Sequence, residues 1–199
     1  MGVQMLSRRI GVTLLLMLSI SIMAAAQDGR LEVGGGFAYL SGNFGLTGFT
    51  AQASYHFTGP VYLVGGGDFL WDNSRVGVFD LSPTTGAVRI KSNSQQFLGG
   101  ARVQIIGWKE TKGLEKRKLI PFGEILLGYS RLSQTVIDST GTISLNASDN
   151  AFTWVLGGGV DYRLSSKWRA RGTLDLERTH FVDAGQSHAR VTAGIFYRF

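Results

Sequence analysis

Every strand-like segment of this chain divides its residues by parity, and the charges keep to one side of the division. The run 188–199 (HARVTAGIFYRF) shows this without a break. Ala189, Val191, Ala193, Ile195, Tyr197 and Phe199 alternate with His188, Arg190, Thr192, Gly194, Phe196 and Arg198. A strand turns successive side chains to opposite faces, so the run presents one apolar face and one face that carries charge. A soluble sheet would cover its apolar face with other parts of the protein. Here the pattern returns in segment after segment, which is the arrangement of a barrel with lipid outside and a polar lumen.

Eight such segments follow one another, at 30–40, 49–57, 61–71, 95–106, 120–131, 150–164, 168–178 and 188–199. The second is the most regular: Phe49, Ala51, Ala53, Tyr55 and Phe57 point outward, and Thr50, Gln52, Ser54 and His56 inward. On the outward parity elsewhere lie Leu31, Val33, Phe37, Tyr39, Leu63, Phe69, Trp71, Phe97, Val103, Ile105, Ile125, Leu127, Tyr129, Phe152, Trp154, Leu156, Val160, Tyr162, Leu174 and Leu176. Each spanning strand needs about 9–11 residues, so residues 27–199 hold eight of them with their connections in one domain. The expected fold is all-β: an eight-stranded antiparallel up-and-down transmembrane β-barrel.

The inward parity carries a charge network. Its acids are Glu32, Asp68, Glu124, Asp161, Asp175 and Glu177; its bases are Arg102, Arg163, Arg169, Arg171, Arg190 and Arg198. A charge left unpaired in a narrow lumen is costly, so the two sets are expected to pair with each other. The planar guanidinium suits bidentate pairing with carboxylates. An eight-stranded barrel is just wide enough for its interior to be filled by side chains, so a salt-bridged plug is expected in place of an open channel.

The N-terminus reads as an export signal. Arg8 and Arg9 precede an uncharged apolar run at 10–23, and Ala24, Ala25 and Ala26 offer a small-residue cleavage site before Gln27. The expected division is a cleaved signal peptide over 1–26 and a barrel domain over 27–199. The chain has no cysteine, so neither a disulfide scaffold nor a thiolate metal site can form. Its net charge of +6 comes in large part from the signal and from Lys109, Lys112, Lys116, Arg117 and Lys118. An anionic lipid surface suits these better than nucleic acid, which is not expected as a partner of an exported chain.

The connections alternate in length. Thr58-Gly59-Pro60 and Ser165-Ser166-Lys167 make short turns, the gap 107–119 is longer and basic, and the other connections run 41–48, 72–94, 132–149 and 179–187. Outer-membrane barrels carry short periplasmic turns and longer outer loops, which puts both termini in the periplasm. Aromatic residues then gather in two girdles, where amphipathic rings favour the membrane interfaces. One holds Tyr55, Phe57, Tyr162, Trp168, Tyr197 and Phe199, and the other Tyr39, Phe49, Phe69, Trp71, Phe97 and Phe152. Pro121 falls near a strand start, where proline is tolerated.

Glycine is abundant, at 28 residues, and clusters at 34–36, 65–67, 99–100 and 157–159. No cluster matches a phosphate-binding loop or opens a helix, so these glycines are expected to let a narrow barrel bend and pack its side chains. Enzyme constellations are thin. His180 stands near Asp183 and His188 follows Ser187, but there is no HExxH pair and no calcium loop. The His-x-Ser-Asn run of outer-membrane lipid A deacylases is missing too. No catalytic residue, cofactor or metal is assigned, and Asn146-Ala147-Ser148 is read as a chance match to a glycosylation sequon.

With its parity, two girdles and Tyr197–Phe199 ending, residues 27–199 resemble the OmpA/OmpX-like family of small outer-membrane barrels. The resemblance implies a bacterial outer-membrane location, outer-membrane lipids as surroundings, and recognition of the last strand by the assembly machinery through Tyr197 and Phe199. The sequence ends with the eighth strand, and no wall-binding domain is expected after it. The role expected first is non-enzymatic, structural or in surface contacts, with surface partners meeting the outer loops, notably 72–94 with Val76, Val78, Phe79 and Leu81. A narrow porin is the alternative, and a lipid-modifying hydrolase stands third.

Overall fold

A computed structural model describes residues 30–42, 45–79, 86–105, 118–137, 143–180 and 185–199; at 73–79, 86–90, 136–137 and 143–146 it describes the backbone path alone. The expected signal at 1–26, Leu81, Asp183 and the basic residues 109–117 lie outside the described residues. Eight strands form in chain order: β1 (Leu31–Leu40), β2 (Leu46–Thr58), β3 (Val61–Phe79), β4 (Gly86–Gln104), β5 (Leu119–Ile137), β6 (Ile143–Arg163), β7 (Trp168–His180) and β8 (Gly185–Arg198). Each pairs antiparallel with the next, and β8 pairs with β1 to close the barrel. Around the closed part of the wall each strand is paired on both sides, as a structure surrounded by hydrocarbon requires.

The register keeps the two parities apart around the whole circumference. Leu174 stands beside Val191, and Thr173 beside Thr192. Outward side chains such as Leu174, Phe49, Ile105 and Phe97 are exposed, while their inward neighbours Thr173, Thr50, Gln104 and Gln96 are buried. An exposed apolar surface of this extent marks a face made to meet lipid. The girdles close into ring contacts. Phe49 meets Trp71 and Phe69 meets Phe97 at one end, while Trp168 meets Tyr197, which in turn meets Phe199, at the other. Both chain ends of the described barrel lie at this second, terminal end, where Glu32 pairs with Arg198. The opposite end is the mouth.

Three expectations are corrected. The stretches 72–94 and 132–149, expected as loops, are largely hairpin ribbon. β3 and β4 stay paired out to Phe79 and Gly86, and β5 and β6 out to Ile137 and Ile143. Register shifts between Asp72 and Arg75 and between Val136 and Ile137 break the continuous parity that marks a strand in sequence, although cross-strand bonding continues. Val76, Val78 and Phe79 belong to β3, and His180 ends β7. Leu31, on the outward parity, is buried. The lumen is also less uniformly polar than the charge list suggests: Tyr62, Val64, Leu98, Leu126 and Val155 form one buried apolar cluster, and Ala38, Leu40, Leu46 and Leu70 a second.

Glycines create space where the wall is most crowded. A Cβ at Gly36 would run into the backbone of Ala193 and Gly194, and one at Gly34 would strike the ring of Phe196. Gly59, in the turn between β2 and β3, has φ of 53°, which favours glycine sterically.

Candidate functional site

The lumen is where the chain's chemistry converges. Ten of the twelve expected network residues are buried there: Glu32, Asp68, Arg102, Glu124, Asp161, Arg169, Arg171, Asp175, Glu177 and Arg190. Arg163 and Arg198 are half-buried at the terminal end.

In the terminal half the pairing is dense. Arg171 Nε donates to Asp161 Oδ1 at 2.5 Å and Nη2 to Asp161 Oδ2 at 2.9 Å, a two-pronged contact. Its Nη2 also reaches Glu32 Oε2 at 3.1 Å, and Arg169 Nη1 lies 2.8 Å from Glu32 Oε1. Arg102 donates through Nε and Nη2 to Glu124 Oε2, at 2.9 and 2.5 Å. The carboxamide oxygen of Gln52 accepts from both Arg102 and Arg171, at 2.8 and 3.2 Å, and ties the two groups together. Two aromatic rings complete the packing. The Arg171 guanidinium lies 4.1 Å from the Phe196 ring centroid, and that of Arg102 lies 4.4 Å from the Phe122 centroid. A cation over a ring face is stabilised more when desolvated, as here.

The mouth half is built differently. Arg190 donates through Nε and Nη2 to Asp68, at 2.7 and 3.3 Å, and through Nη1 to Asp175 Oδ2 at 2.8 Å. Thr173 donates to Asp175 and meets Thr192 at 2.7 Å. Glu177 Oε1 accepts from Gln96 Nε2 at 2.7 Å. Among the described residues, Arg190 is the one fully buried cation of this half, alongside the buried acids Asp68, Asp72, Asp175 and Glu177.

Several contacts cross the lumen. Arg190 on β8 meets Asp68 on β3, and Gln96 on β4 meets Glu177 on β7, each pair three strands apart around the barrel. Gln52, Gln96, Phe122 and Phe196 belong to this interior although charge alone did not single them out. Their shared signal is the parity: each stands an even number of positions from an inward charge on its own strand, or on the face opposite the outward row. Two of the three histidines contact main-chain carbonyls, His56 that of Gly59 and His188 that of Ser41. Among the described residues no group of three histidine or acidic side chains could hold a metal ion.

This architecture matches a known family. The family described as outer membrane protein beta-barrel domain matches residues 10–199. The chain belongs to that family. A search of curated proteins returns no match. Solved structures of the same architecture include a major outer membrane protein from Thermus thermophilus, at 13% identity and a TM-score of 0.60, covering 85% of this chain and 98% of that one. Ail, the attachment invasion locus protein of Yersinia pestis, is similar at 12% identity and a TM-score of 0.53, covering 85% of this chain and 97% of Ail. Neisserial surface protein A is similar at 10% identity and a TM-score of 0.53, covering 85% of this chain and 96% of that one. At these identities the likeness is one of fold. As a member of the outer-membrane barrel family, the protein is a bacterial outer-membrane protein, and its exposed apolar belt is its lipid-facing surface.

Proposed function

We propose that this barrel is a non-enzymatic surface protein: its lumen is closed by the charge network, and its outer hairpins make contacts outside the cell. The supporting observation is the set of cross-lumen bonds from Arg190 to Asp68, Arg171 to Glu32 and Gln96 to Glu177, which join strands that are not neighbours in the wall. In this reading residues 1–26 are removed on export, both termini face the periplasm, and the paired ribbons β3–β4 and β5–β6 project outward. Ail of Yersinia pestis has been solved with the heparin analogue sucrose octasulfate. A surface-binding role of that general kind is the one carried over here, with Lys91, Arg131 and Arg178 exposed on the outward face. The assembly machinery reads the last strand through Tyr197 and Phe199, rings that pack against each other and, through Tyr197, against Trp168.

Conductance of the purified barrel in planar bilayers tests the plug. The expected trace shows no stable open level, whereas a persistent conductance would establish the narrow porin instead. Deleting Phe199 should lower outer-membrane levels far more than deleting Gln186 at the mouth. Equal levels of the two deletions would remove the assembly role.

A further inference from the structure

On the lipid-facing side of β7 and β8, near the terminal end, the outward row loses its large side chains. Ala170, Gly172 and Ala193 form the floor of an open depression, bordered by Val160 and Tyr162 on β6 and by Ile195 on β8. The register sets these residues in two successive outward rows, Tyr162, Ala170 and Ile195 in one and Val160, Gly172 and Ala193 in the other. The paired residues Leu174 and Val191 close the depression toward the mouth, and the contacting rings of Trp168 and Tyr197 close it toward the terminal rim.

Neither backbone nor packing calls for glycine at 172. Among the described residues a positive φ occurs at Gly59 alone, and a Cβ at Gly172 would meet nothing nearer than the Thr192 carbonyl oxygen, at 3.9 Å. A Cβ at Gly159, on the neighbouring strand, would strike the backbone. Gly65 is an outward glycine with as much room. At Gly172, however, the space joins that over Ala170 and Ala193, and a cation stands at its foot. Lys167, in the turn between β6 and β7, holds its Nζ 5.6 Å from the Tyr197 ring centroid and donates to the Tyr197 hydroxyl at 3.2 Å. An ammonium has three donors, and this contact uses one.

We propose that this face binds one anionic glycerophospholipid, its phosphate held by Lys167 and the Tyr197 hydroxyl and one acyl chain lying in the depression over Gly172. A cation, a phenol and an apolar floor follow one another along the wall in the order in which such a lipid presents its phosphate and its chain. The distances agree. Ala170 and Gly172 stand two and four residues from Trp168, roughly 7 and 13 Å along the strand at about 3.3 Å per residue. The headgroup layer is roughly 5–7 Å deep on each side of the hydrocarbon, so a phosphate beside Lys167 brings the first segments of a chain over the depression. The site lies on the outer side of the wall and stands whether or not the lumen conducts.

The test places the full-length mature barrel in phosphatidylcholine nanodiscs and adds phosphatidylglycerol brominated midway along one chain, which quenches nearby tryptophan. Trp71→Phe, Trp108→Phe and Trp154→Phe leave Trp168, beside the depression, as the one reporter. Every variant is checked for folding by its gel mobility before and after boiling. Quenching should saturate, and at a lower mole fraction than with brominated phosphatidylcholine, a preference of about two- to fivefold on the scale of one exposed ion pair. Lys167→Gln should abolish that preference. Gly172→Leu fills the depression without striking the wall and should remove the saturating component; Ala193→Leu fills the same space and replaces it if it does not fold. Gly65→Leu, on the far side of the barrel, should change neither. Equal quenching by the two lipids, a preference retained in Lys167→Gln or in a folded variant with the depression filled, or an equal loss in Gly65→Leu would each overturn the proposal.

Discussion

Arg171 and Arg190 lie on neighbouring strands and each holds two carboxylates, yet their surroundings differ. Arg171 sits among other arginines, with Gln52 bridging it to Arg102 and the rings of Phe196 and Phe122 at 4.1 and 5.5 Å. In that terminal half the buried acids Glu32, Glu124 and Asp161 are matched by Arg102, Arg169 and Arg171. Arg190 has no such company: buried acids outnumber it, and hydroxyls and amides fill the remaining space. The terminal half is a plug of matched charges, in which each of these acids meets an arginine. The mouth half sets one buried arginine against the buried acids Asp68, Asp72, Asp175 and Glu177. Taking charges out of water is repaid only where charge pairing and hydrogen bonds compensate; the terminal half does so through its acid–arginine contacts, while Glu32 Oε1, Glu124 Oε1, Arg102 Nη1 and Arg169 Nη1 make no hydrogen bond.

Removing the centre of the plug should have the largest effect. Arg171→Met leaves Asp161 without its two-pronged partner and takes one of the two arginines from Glu32, and should destabilise the barrel by about 3–5 kcal/mol, the scale for breaking a buried pair. Urea-driven unfolding from lipid vesicles measures it. A loss below that of a mouth variant would erase the contrast between the halves.

The second test breaks the wall that both halves share. Leu174→Arg places a charge on the lipid face and should cost about 2–4 kcal/mol if it lies near the midplane. Thr173→Arg enters the lumen beside Asp175, where a carboxylate can compensate in part, although crowding adds its own cost. Folding free energies of both variants into vesicles decide the matter: a markedly worse Thr173→Arg would mean that inside and outside are wrongly assigned.

The smallest effect is expected in the mouth. Glu177→Gln keeps the shape and can still accept from Gln96, so the unfolding free energy should change by no more than about 1 kcal/mol, the scale of one neutral hydrogen bond. A loss comparable to that of Arg171→Met would show that the mouth contributes to the plug no less than the terminal half does.

Much of the site was readable before any coordinates, and the reason is local. The ten buried charges fall on the parity opposite Phe49, Leu174 and Ile195, and strand geometry alone carries that assignment from residue to residue. The same rule could not show that Val64, Leu98, Leu126 and Val155 share the lumen with the charges, because an apolar residue on the inner row looks like an error in the pattern until its neighbours are known. Strand length was under-read for a different reason. β3 to β6 run on beyond the closed wall, held by cross-strand bonding, and register shifts between Asp72 and Arg75 and between Val136 and Ile137 interrupt the parity there.

By itself, the sequence determined which face of each strand meets lipid, since alternation is a property of the extended backbone. The tertiary structure alone decided which charges meet. Arg171 reaches Gln52 across 119 residues, and Arg190 reaches Asp68 across 122. Such pairings depend on register, closure and curvature accumulated over the whole barrel, and neighbouring residues along the chain carry no trace of them.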